Sequence, residues 1–204
     1  MTWIDEQLRR RGIADERVLA AMARVPREAF VPEGFEGSAY DDAPIPLPHG
    51  QTISQPYMVA MMCEALGLDG SERVLDVGTG SGYAAAVLAE LVAEVHTIER
   101  IPALADTARE SLAAAGYDRV VVHVGDGTLG LVEHAPYDAI SVAAAAPEVP
   151  PALWAQLADA GRIALPLVMG RSHQQLCVLE RRSTGPRLIA SVPARFVPLV
   201  SGKP

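Results

Sequence analysis

The stretch RVLDVGTGSGYAAAVLAEL, residues 73–91, decides the fold. It begins with a short apolar run of strand length at 74–77, passes through three glycines at alternate positions, and ends at 83–91 in a segment rich in alanine and leucine, residues of strong helix propensity. A strand, a glycine turn and a helix in this order form the first half of a nucleotide-binding βαβ unit. Glycine lets the backbone approach a ligand closely, and the helix N-terminus presents unpaired N–H groups.

The register of the glycines leaves more than one class of ligand open. A dinucleotide fingerprint G-x-G-x-x-G counted from Gly78 needs glycine or alanine at a position that is occupied by Tyr83. Counted from Gly80, the pattern fits through Gly82 and Ala85, but it then begins well past the strand. A glycine turn that binds no ligand is a third interpretation.

Asp76, at the end of the strand, favours a cationic ligand. A carboxylate in a partly dry site repels a pyrophosphate, at a cost on the order of several kcal/mol. S-adenosylmethionine carries a sulfonium and an ammonium group and no phosphate. The pattern Asp76-x-Gly78-x-Gly80-x-Gly82 therefore favours a methyl-donor site over a dinucleotide site.

Two further acids follow predicted strands. Glu99 ends the strand at 94–99, about twenty residues past the glycines, where a carboxylate accepts both ribose hydroxyls. Asp126 lies between two glycines after the strand at 120–124, where it is placed to accept from an adenine amino group, although an ordinary Asp turn explains it equally well. Since ligands bind outside the carboxyl ends of parallel strands, we expect these acids to converge with the glycine loop.

The remaining segments alternate between strands and helices, which predicts an α/β fold with a doubly wound, Rossmann-like, mostly parallel sheet and an antiparallel end. Two short helices are expected within residues 1–30, the second beginning near Asp15. The other predicted helices lie at 59–66, 83–91, 102–115 and 152–158, and the later predicted strands at 137–142, 162–167, 174–181 and 187–192.

The composition favours a folded, acidic protein. The chain has 204 residues, half of them hydrophobic, and a net charge of −8. Nucleic acids bind basic faces, and none is evident here, so we expect no nucleic-acid partner. No apolar run approaches a membrane span and the charged N-terminus is not signal-like, so we expect a cytoplasmic protein without membrane contact. Cys63 and Cys177 lie in apolar segments without metal-ligand spacing and are expected to be buried thiols.

Three polar side chains outside the glycine unit have ordinary structural interpretations. Ser54 stands two residues before Pro56, which is typical of a helix start, and on the residues alone the favoured interpretation is a helix N-cap. A cap serine can also bind an anion. His96 and His123 fall in predicted strands, where they fit the core or surface of the sheet better than a catalytic site.

Seven short blocks between residues 18 and 199 form a recognisable set. They are RVPR at 24–27, FVP at 30–32, GQTISQP at 50–56, VLDVGTGSGY at 74–83, TIER at 97–100, GDG at 125–127 and FVPL at 196–199. With these blocks, the sequence closely resembles the protein-L-isoaspartate O-methyltransferase family. The TISQP block at 52–56 and the FVPL tail are specific to that family, whereas the glycine motif is shared by many methyltransferases.

The resemblance implies roles for specific residues. The segment matching 52–55 lines the junction of donor and substrate, and Ser54 becomes the candidate catalytic residue, which replaces the cap-only interpretation. Residues matching Glu99, Asp126 and Gly127 hold the adenosine. The implied cofactor is S-adenosyl-L-methionine, no metal is expected, and the predicted cofactor-binding residues are Ile53, Gln55, Asp76, Gly78, Gly80, Gly82, Glu99, Arg100, Asp126 and Gly127.

The implied reaction methylates the free α-carboxyl of isoaspartyl residues in proteins and peptides, and the ester then closes to a succinimide. We expect a monomeric single domain over 1–204, with a helical and substrate-side segment at 1–66 and a donor-binding core at 72–200. The alternatives are a related enzyme that methylates an aspartate of a dedicated peptide, a nicotinamide-dependent oxidoreductase, and a non-catalytic binding module. The chain departs from the family at Ala143, where threonine is usual, and in extra residues at 169–173.

Overall fold

The computed structural model describes residues 2–170 and 173–202. Its centre is a seven-stranded sheet in the order β5-β4-β3-β6-β7-β8-β9, and β1 and β2 form a separate two-stranded pair. The strands are β1 (Ile45–Pro46), β2 (Thr52–Ile53), β3 (Arg73–Val77), β4 (Glu94–Glu99), β5 (Val121–Val124), β6 (Tyr137–Val142), β7 (Leu157–Met169), β8 (His173–Arg182) and β9 (Gly185–Ala194). The α-helices are α1 (Glu16–Arg24), α2 (Pro56–Leu66), α3 (Tyr83–Leu91), α4 (Pro102–Ala114) and α5 (Pro151–Gln156).

The sheet is doubly wound. Strands β5, β4, β3, β6 and β7 pair in parallel, whereas β8 and β9 add antiparallel strands at one edge. The chain moves from β3 through β4 to β5 in one direction, then returns to β6 on the other side of β3. This reversal is the topological switch point at which α/β sheets bind ligands. The predicted fold class is confirmed.

Residues 73–91 fold as strand, turn and helix because the residues of each part suit its burial and backbone conformation. Four of the five β3 residues are buried, as expected for a strand covered on both faces. Gly82 precedes α3 with φ of 91°, a left-handed conformation that favours glycine. A Cβ at Gly82 would lie 3.1 Å from Cγ of Leu112, so glycine also allows the turn to pack closely against α4.

The N-terminal segment packs across one side of this core. It runs from a π-helical turn, Ile4–Leu8, through a 3-10 turn, Arg9–Arg11, into α1. Asp15 is the α1 N-cap: its Oδ1 accepts from the backbone N of Arg17 at 2.8 Å and of Val18 at 3.4 Å. The helix start predicted near Asp15 is thereby confirmed. Helix α1 packs against α2 and α3.

The predicted bounds of three elements were wrong. Helix α5 ends at Gln156 rather than at 158, because β7 begins at Leu157. Leu157 pairs with Tyr137 of β6, and regular pairing of the two strands resumes at Arg162 and Ala139. The residues between these pairs bulge out of the ladder, which extends β7 well beyond the predicted 162–167. Helix α2 starts at Pro56, three residues before the predicted 59.

The two cysteines, the extra residues at 169–173 and the lengths of the helices can be compared with the expectations from the sequence. Cys63 and Cys177 are both buried free thiols, as predicted. Of the extra residues at 169–173, Met169 ends β7 and His173 begins β8, and positions 171 and 172 lie outside the described residues. In the described part of the chain, every helix is too short or too polar to cross a lipid bilayer.

Candidate active site

Two neighbouring cavities open at the carboxyl ends of the parallel strands. The small cavity, of about 100 Å³, is lined by Gly78 after β3, Glu99 at the end of β4 and Gly127 after β5. The large cavity, of about 780 Å³, is lined by residues of β2, α2 and the chain after β9. Thr52, Ala143 and Val197 line both cavities and therefore form the wall between them.

Glu99 holds the glycine loop in place beside the small cavity. Its Oε2 accepts a hydrogen bond from the backbone N of Gly80, and its Oε1 accepts one from the backbone N of Ile101, both at 2.9 Å. The side chain is buried yet reaches the cavity wall. Each carboxylate oxygen has a second lone pair, so Glu99 retains the capacity to accept from ligand hydroxyls.

Asp126 lies behind the chain segment 197–202, which we call the tail segment. Its Oδ1 accepts from Thr128, and its Oδ2 accepts from the backbone N of Gly202 at 2.6 Å. Burial raises the pKa of Asp126, but the hydrogen bonds from Thr128 and Gly202 outweigh burial and hold the pKa below its usual value. Residues 197–200 line the small cavity, whereas Asp126 is not among its described lining residues.

Asp76 is buried beneath the site rather than exposed within it. It pairs in register with Thr97 and Ser141 on the two neighbouring strands, and its Oδ2 accepts from Thr97 Oγ1 at 2.9 Å. Among the described residues, its Oδ1 has no hydrogen-bond partner. Burial raises the pKa of Asp76 to about 7, and the charge on Glu99 adds to this rise, against hydrogen bonds from Thr97 and Ser141. From the sequence, Asp76 was expected to face the ligand, whereas its side chain is buried and is not among the described lining residues of the small cavity.

Ser54 lines the large cavity and is held through its backbone. The fully buried guanidinium of Arg27 donates from Nη2 to the Ser54 carbonyl at 2.9 Å and from Nε to the Ala39 carbonyl at 2.6 Å. The same guanidinium lies 4.5 Å from the ring centroid of Tyr83, the first residue of α3. Arg27 therefore ties the Ser54 segment to the helix that follows the glycine loop.

Asp42 performs the capping role that the residues alone assigned to Ser54. The N-cap of α2 is Gln55, and its side chain makes no capping hydrogen bond. Instead, Asp42 Oδ1 accepts from the backbone N of Tyr57 at 3.0 Å, and its Oδ2 accepts from Gln55 Nε2 at 3.1 Å. The N-cap interpretation of Ser54 was therefore wrong.

Cationic side chains flank the large cavity. Arg11 forms an ion pair with Asp42 and stacks on Tyr57, with its guanidinium carbon 3.6 Å from the ring centroid. Arg11 and Arg195 both line the cavity. Because Asp42 neutralises Arg11, Arg195 is the guanidinium whose charge favours an anionic ligand there.

The structure brings most of the predicted site residues to the two cavities. Ile53 is buried and pairs with Ile45 in the small hairpin, away from both cavity walls. Gly78, Gly80, Glu99, Arg100 and Gly127 line the small cavity, Ser54 and Gln55 line the large one, and Ile53, Asp76, Gly82 and Asp126 are not among the described lining residues of either.

Sequence reasoning missed several lining residues. Residues 197–199 stood inside the recognised FVPL tail, so a signal was present without an assigned contact. Thr52 was not missed, because it belongs to the segment 52–55 that was expected at the junction of donor and substrate. Arg11, Tyr57 and residues 192–195 had no local signal, because only the folded chain brings them to the cavity.

The residues that line the small cavity suit a donor that contains adenosine. A Cβ at Gly127 would lie 2.5 Å from Cγ1 of Val77, so only glycine allows the chain to pass this close to Val77 at the cavity wall. Glu99 supplies acceptors for hydroxyl groups, and no basic side chain other than Arg100 lines the cavity among the described residues. Together with the switch-point position beside a second, anion-favouring cavity, this defines a methyltransferase of the S-adenosylmethionine-dependent class.

Comparison with known proteins identifies the family. The sequence model of the protein-L-isoaspartate(D-aspartate) O-methyltransferase (PCMT) family matches residues 3–204, and the chain belongs to this family. It is 54% identical to protein-L-isoaspartate O-methyltransferase 1 of Rhodopseudomonas palustris (strain HaA2), over 97% of this chain and 81% of that one. It is 57% identical to protein-L-isoaspartate O-methyltransferase 2 of Marinobacter nauticus, over 95% of this chain and 89% of that one.

Solved structures agree with the sequence relatives. A structure named as a protein-L-isoaspartate O-methyltransferase matches with a TM-score of 0.87 at 28% identity, over 98% of this chain and 65% of that one. A Plasmodium falciparum structure of the same name, in complex with S-adenosyl-L-homocysteine, matches with a TM-score of 0.82 at 27% identity, over 98% of this chain and 97% of that one.

Proposed function

We propose that this protein transfers the methyl group of S-adenosyl-L-methionine to the free α-carboxyl of L-isoaspartyl residues in damaged proteins and peptides. The methyl ester then closes to a succinimide, whose hydrolysis restores part of the normal aspartate. One observation carries the proposal beyond family membership: the small and large cavities share a wall at Thr52, Ala143 and Val197, with Ser54 in the large cavity. A donor in one cavity and a carboxylate in the other would meet across that wall.

The residues of the large cavity suit an acceptor that needs no activation. A carboxylate is already ionised at pH 7, so no general base has to remove a proton. Arg195 attracts the anion to the cavity, and we assign to the Ser54 hydroxyl a hydrogen bond to it, because Ser54 lines the same cavity. S-adenosylmethionine, when bound, supplies an electrophilic methyl carbon and leaves as S-adenosylhomocysteine. The chain's contribution is to align the carboxylate oxygen and to exclude water from the charges.

We assign the donor to the small cavity. Glu99 would accept from the ribose hydroxyls, and Gly78, Gly80 and Gly127 would let the backbone approach the ligand closely. Pockets that enclose a drug-sized ligand occupy roughly 300–1,000 Å³. Because the small cavity holds about 100 Å³, we expect donor binding to move the end of the tail segment at Gly202, which would release Asp126 for the adenine amino group. Thr97 links Asp76 to the loop, since its Oγ1 lies 2.9 Å from Asp76 Oδ2 and 2.7 Å from Thr79 Oγ1.

Membership of a methyltransferase family leaves no role for the nicotinamide-dependent oxidoreductase considered above. The related enzyme that methylates an aspartate of a dedicated peptide uses the same chemistry, so an assay must separate the two. Radiolabelled donor should transfer its methyl group to an isoaspartyl peptide and not to its aspartyl twin of identical sequence. Transfer to the aspartyl twin alone would favour the dedicated-peptide enzyme, and transfer to neither would favour a non-catalytic binding module.

Four further expectations from the sequence stay predictions. We propose one domain over residues 1–204, in which 1–66 shapes the substrate side and 72–200 binds the donor, because the family match spans 3–204. We also propose that the protein is cytoplasmic and monomeric. The net charge of −8 supports the expectation that it binds no nucleic acid.

A further inference from the structure

Three histidines meet on one face of the sheet, away from both cavities. His96 lies on β4, His123 on β5, and His134 ends a 3-10 turn, Val132–His134, before β6. His96 Nδ1 is 3.1 Å from His123 Nε2, and the ring centroids of His96 and His134 are 4.1 Å apart. One ring nitrogen from each histidine can be chosen so that all three lie within 4.8 Å of one another.

The cluster is separate from the proposed methyl-transfer site. His96 pairs in register with Leu75, so its side chain projects from the opposite face of the sheet to Asp76. Along β4 it lies three residues before Glu99, roughly 10 Å at the usual rise per residue. Neither cavity, as formed by the described residues, has a histidine in its wall.

A carboxylate orients the ring of His96. Glu94 Oε1 is 2.8 Å from His96 Nε2, and Glu94 Oε2 is 2.7 Å from Arg73 Nε. Because an ionised carboxylate only accepts hydrogen bonds, Nε2 donates to Glu94, and in the neutral imidazole the lone pair then lies on Nδ1, which faces His123. Metal-ligating histidines in proteins characteristically donate their other ring N–H to a carboxylate in this way.

We propose that His96, His123 and His134 bind one Zn²⁺ ion through a ring nitrogen each, with water as the fourth ligand. Zinc favours tetrahedral sites with Zn–N distances of about 2.0–2.1 Å, which places neighbouring ligand nitrogens about 3.3 Å apart. The 3.1 Å separation between His96 and His123 is already close to this value. A set of three imidazoles suits zinc better than magnesium or calcium, which prefer oxygen ligands.

His134 completes the site by turning its ring. It stacks on His96 with an interplanar angle of 24°, and an imidazole lone pair lies in the plane of its ring. The two stacked rings therefore do not point at a common ion until His134 rotates about its side-chain torsions. His134 is half-buried, so its ring has room to move, while its carbonyl oxygen accepts a 3.4 Å hydrogen bond from Arg73 that holds the backbone.

The bound ion would join parts of the chain that are distant in sequence. It would connect β4, β5 and the segment before β6 at the parallel edge of the sheet. The three ligands stand 27 and 11 residues apart, which explains why their spacing in the sequence carried no metal-binding signal. Because the ion binds the folded chain, it should raise the unfolding temperature without altering methyl transfer.

The test is a calorimetric titration of Zn²⁺ into the full-length chain after treatment with a chelator. We expect one equivalent to bind. His123→Asn and His134→Gln should each weaken Zn²⁺ binding at least 10- to 100-fold. Loss of a residue that only hydrogen-bonds a metal ligand already costs that much affinity, and loss of a ligand itself should cost no less. The matched control is His173→Gln, which changes an exposed histidine outside the cluster and should bind Zn²⁺ like the parent.

A second readout separates lost ligation from lost folding. Co²⁺ bound in place of Zn²⁺ should give visible absorption bands typical of tetrahedral coordination in the parent and in His173→Gln, and not in the two cluster variants. Circular dichroism and the rate of methyl transfer should be unchanged in His134→Gln. The proposal is overturned if the parent binds no Zn²⁺, if the cluster variants bind it equally well, or if His173→Gln weakens binding as much as they do.

Discussion

Arg27 Nη2 donates a 2.9 Å hydrogen bond to the backbone carbonyl oxygen of Ser54, and the arginine has no exposed surface. The same guanidinium bonds the Ala39 carbonyl and lies over the ring of Tyr83. One buried cation therefore fixes the candidate catalytic segment relative to the helix after the glycine loop. Its role is positioning, since it acts through backbone carbonyls.

Replacing this arginine should damage both stability and turnover. Arg27→Met leaves the buried carbonyls of Ala39 and Ser54 without their donor, at about 1–3 kcal/mol for each unsatisfied group. We expect a free energy of unfolding lowered by about 3 kcal/mol and, in the protein that still folds, a kcat reduced at least tenfold with little change in donor KM. The control, Arg24→Met, removes an exposed ion pair with Glu90 and should cost at most about 1 kcal/mol. Equal effects of the two substitutions on kcat would contradict the positioning role.

Asp76 should make the protein less stable as the pH rises toward neutrality. Its folded-state pKa of about 7 lies above the unfolded value of 3.8, so the folded state holds the proton more tightly. Below about pH 4 both states are protonated, stability falls between about pH 4 and 7, and above 7 the penalty is constant, at most roughly 4 kcal/mol.

Asp76→Asn should remove this part of the pH dependence. Urea unfolding of the parent and the variant at pH 5, 6, 7 and 8 should show a variant that gains stability relative to the parent across that range. A constant difference would mean that the carboxyl group does not titrate there. Donor affinity, measured alongside, reports whether Asp76 also interacts with the donor.

Local patterns in the sequence sufficed for the elements that surround the site. The apolar run of β3, the glycines after it and the acid that ends β4 could be interpreted from neighbouring residues, because strand periodicity and glycine conformation are local properties. The Asp42 cap on α2 could not be predicted, since Asp42 lies fifteen residues before Tyr57. The contact of Gly202 with Asp126 spans 76 residues, and only the fold creates it.

The tail segment should compete with the donor for Asp126. Residues 197 and 199 are fixed by backbone hydrogen bonds to Ala145, both 2.8 Å, whereas Gly202 is held by Asp126 and by Arg100. A chain ending at Val200 therefore loses the Gly202 contacts and keeps the cavity wall. Its association rate for S-adenosylhomocysteine, measured by surface plasmon resonance, should rise several-fold. A chain ending at Gly202 provides the baseline, and equal rates in both chains would show that the tail does not limit entry.

Ser54→Ala should separate the acceptor side of the site from the donor side. Ser54 lines the large cavity and is not among the described lining residues of the small one, so we expect loss of its hydroxyl to remove a hydrogen bond to the substrate carboxylate and to leave the donor contacts in place. A hydrogen bond to a charged group contributes about 1.5–3 kcal/mol, which corresponds to a roughly 10- to 100-fold fall in kcat if it orients the oxygen in the transition state. The affinity for S-adenosylhomocysteine, measured by calorimetry, should stay within about twofold of the parent, because Ser54 does not line the cavity assigned to the donor.

Two comparisons make the Ser54 result specific. Ser38→Ala removes an exposed hydroxyl that bonds only the nearby Phe35 carbonyl among its described contacts, so it should leave kcat unchanged. Because the substitution at Ser54 leaves its backbone carbonyl intact, the hydrogen bond from Arg27 persists, and the variant should unfold at the same urea concentration as the parent. A kcat defect with normal stability and normal donor affinity assigns the hydroxyl to the acceptor. A loss of donor affinity as large as the loss of kcat would instead place Ser54 on the donor side of the wall.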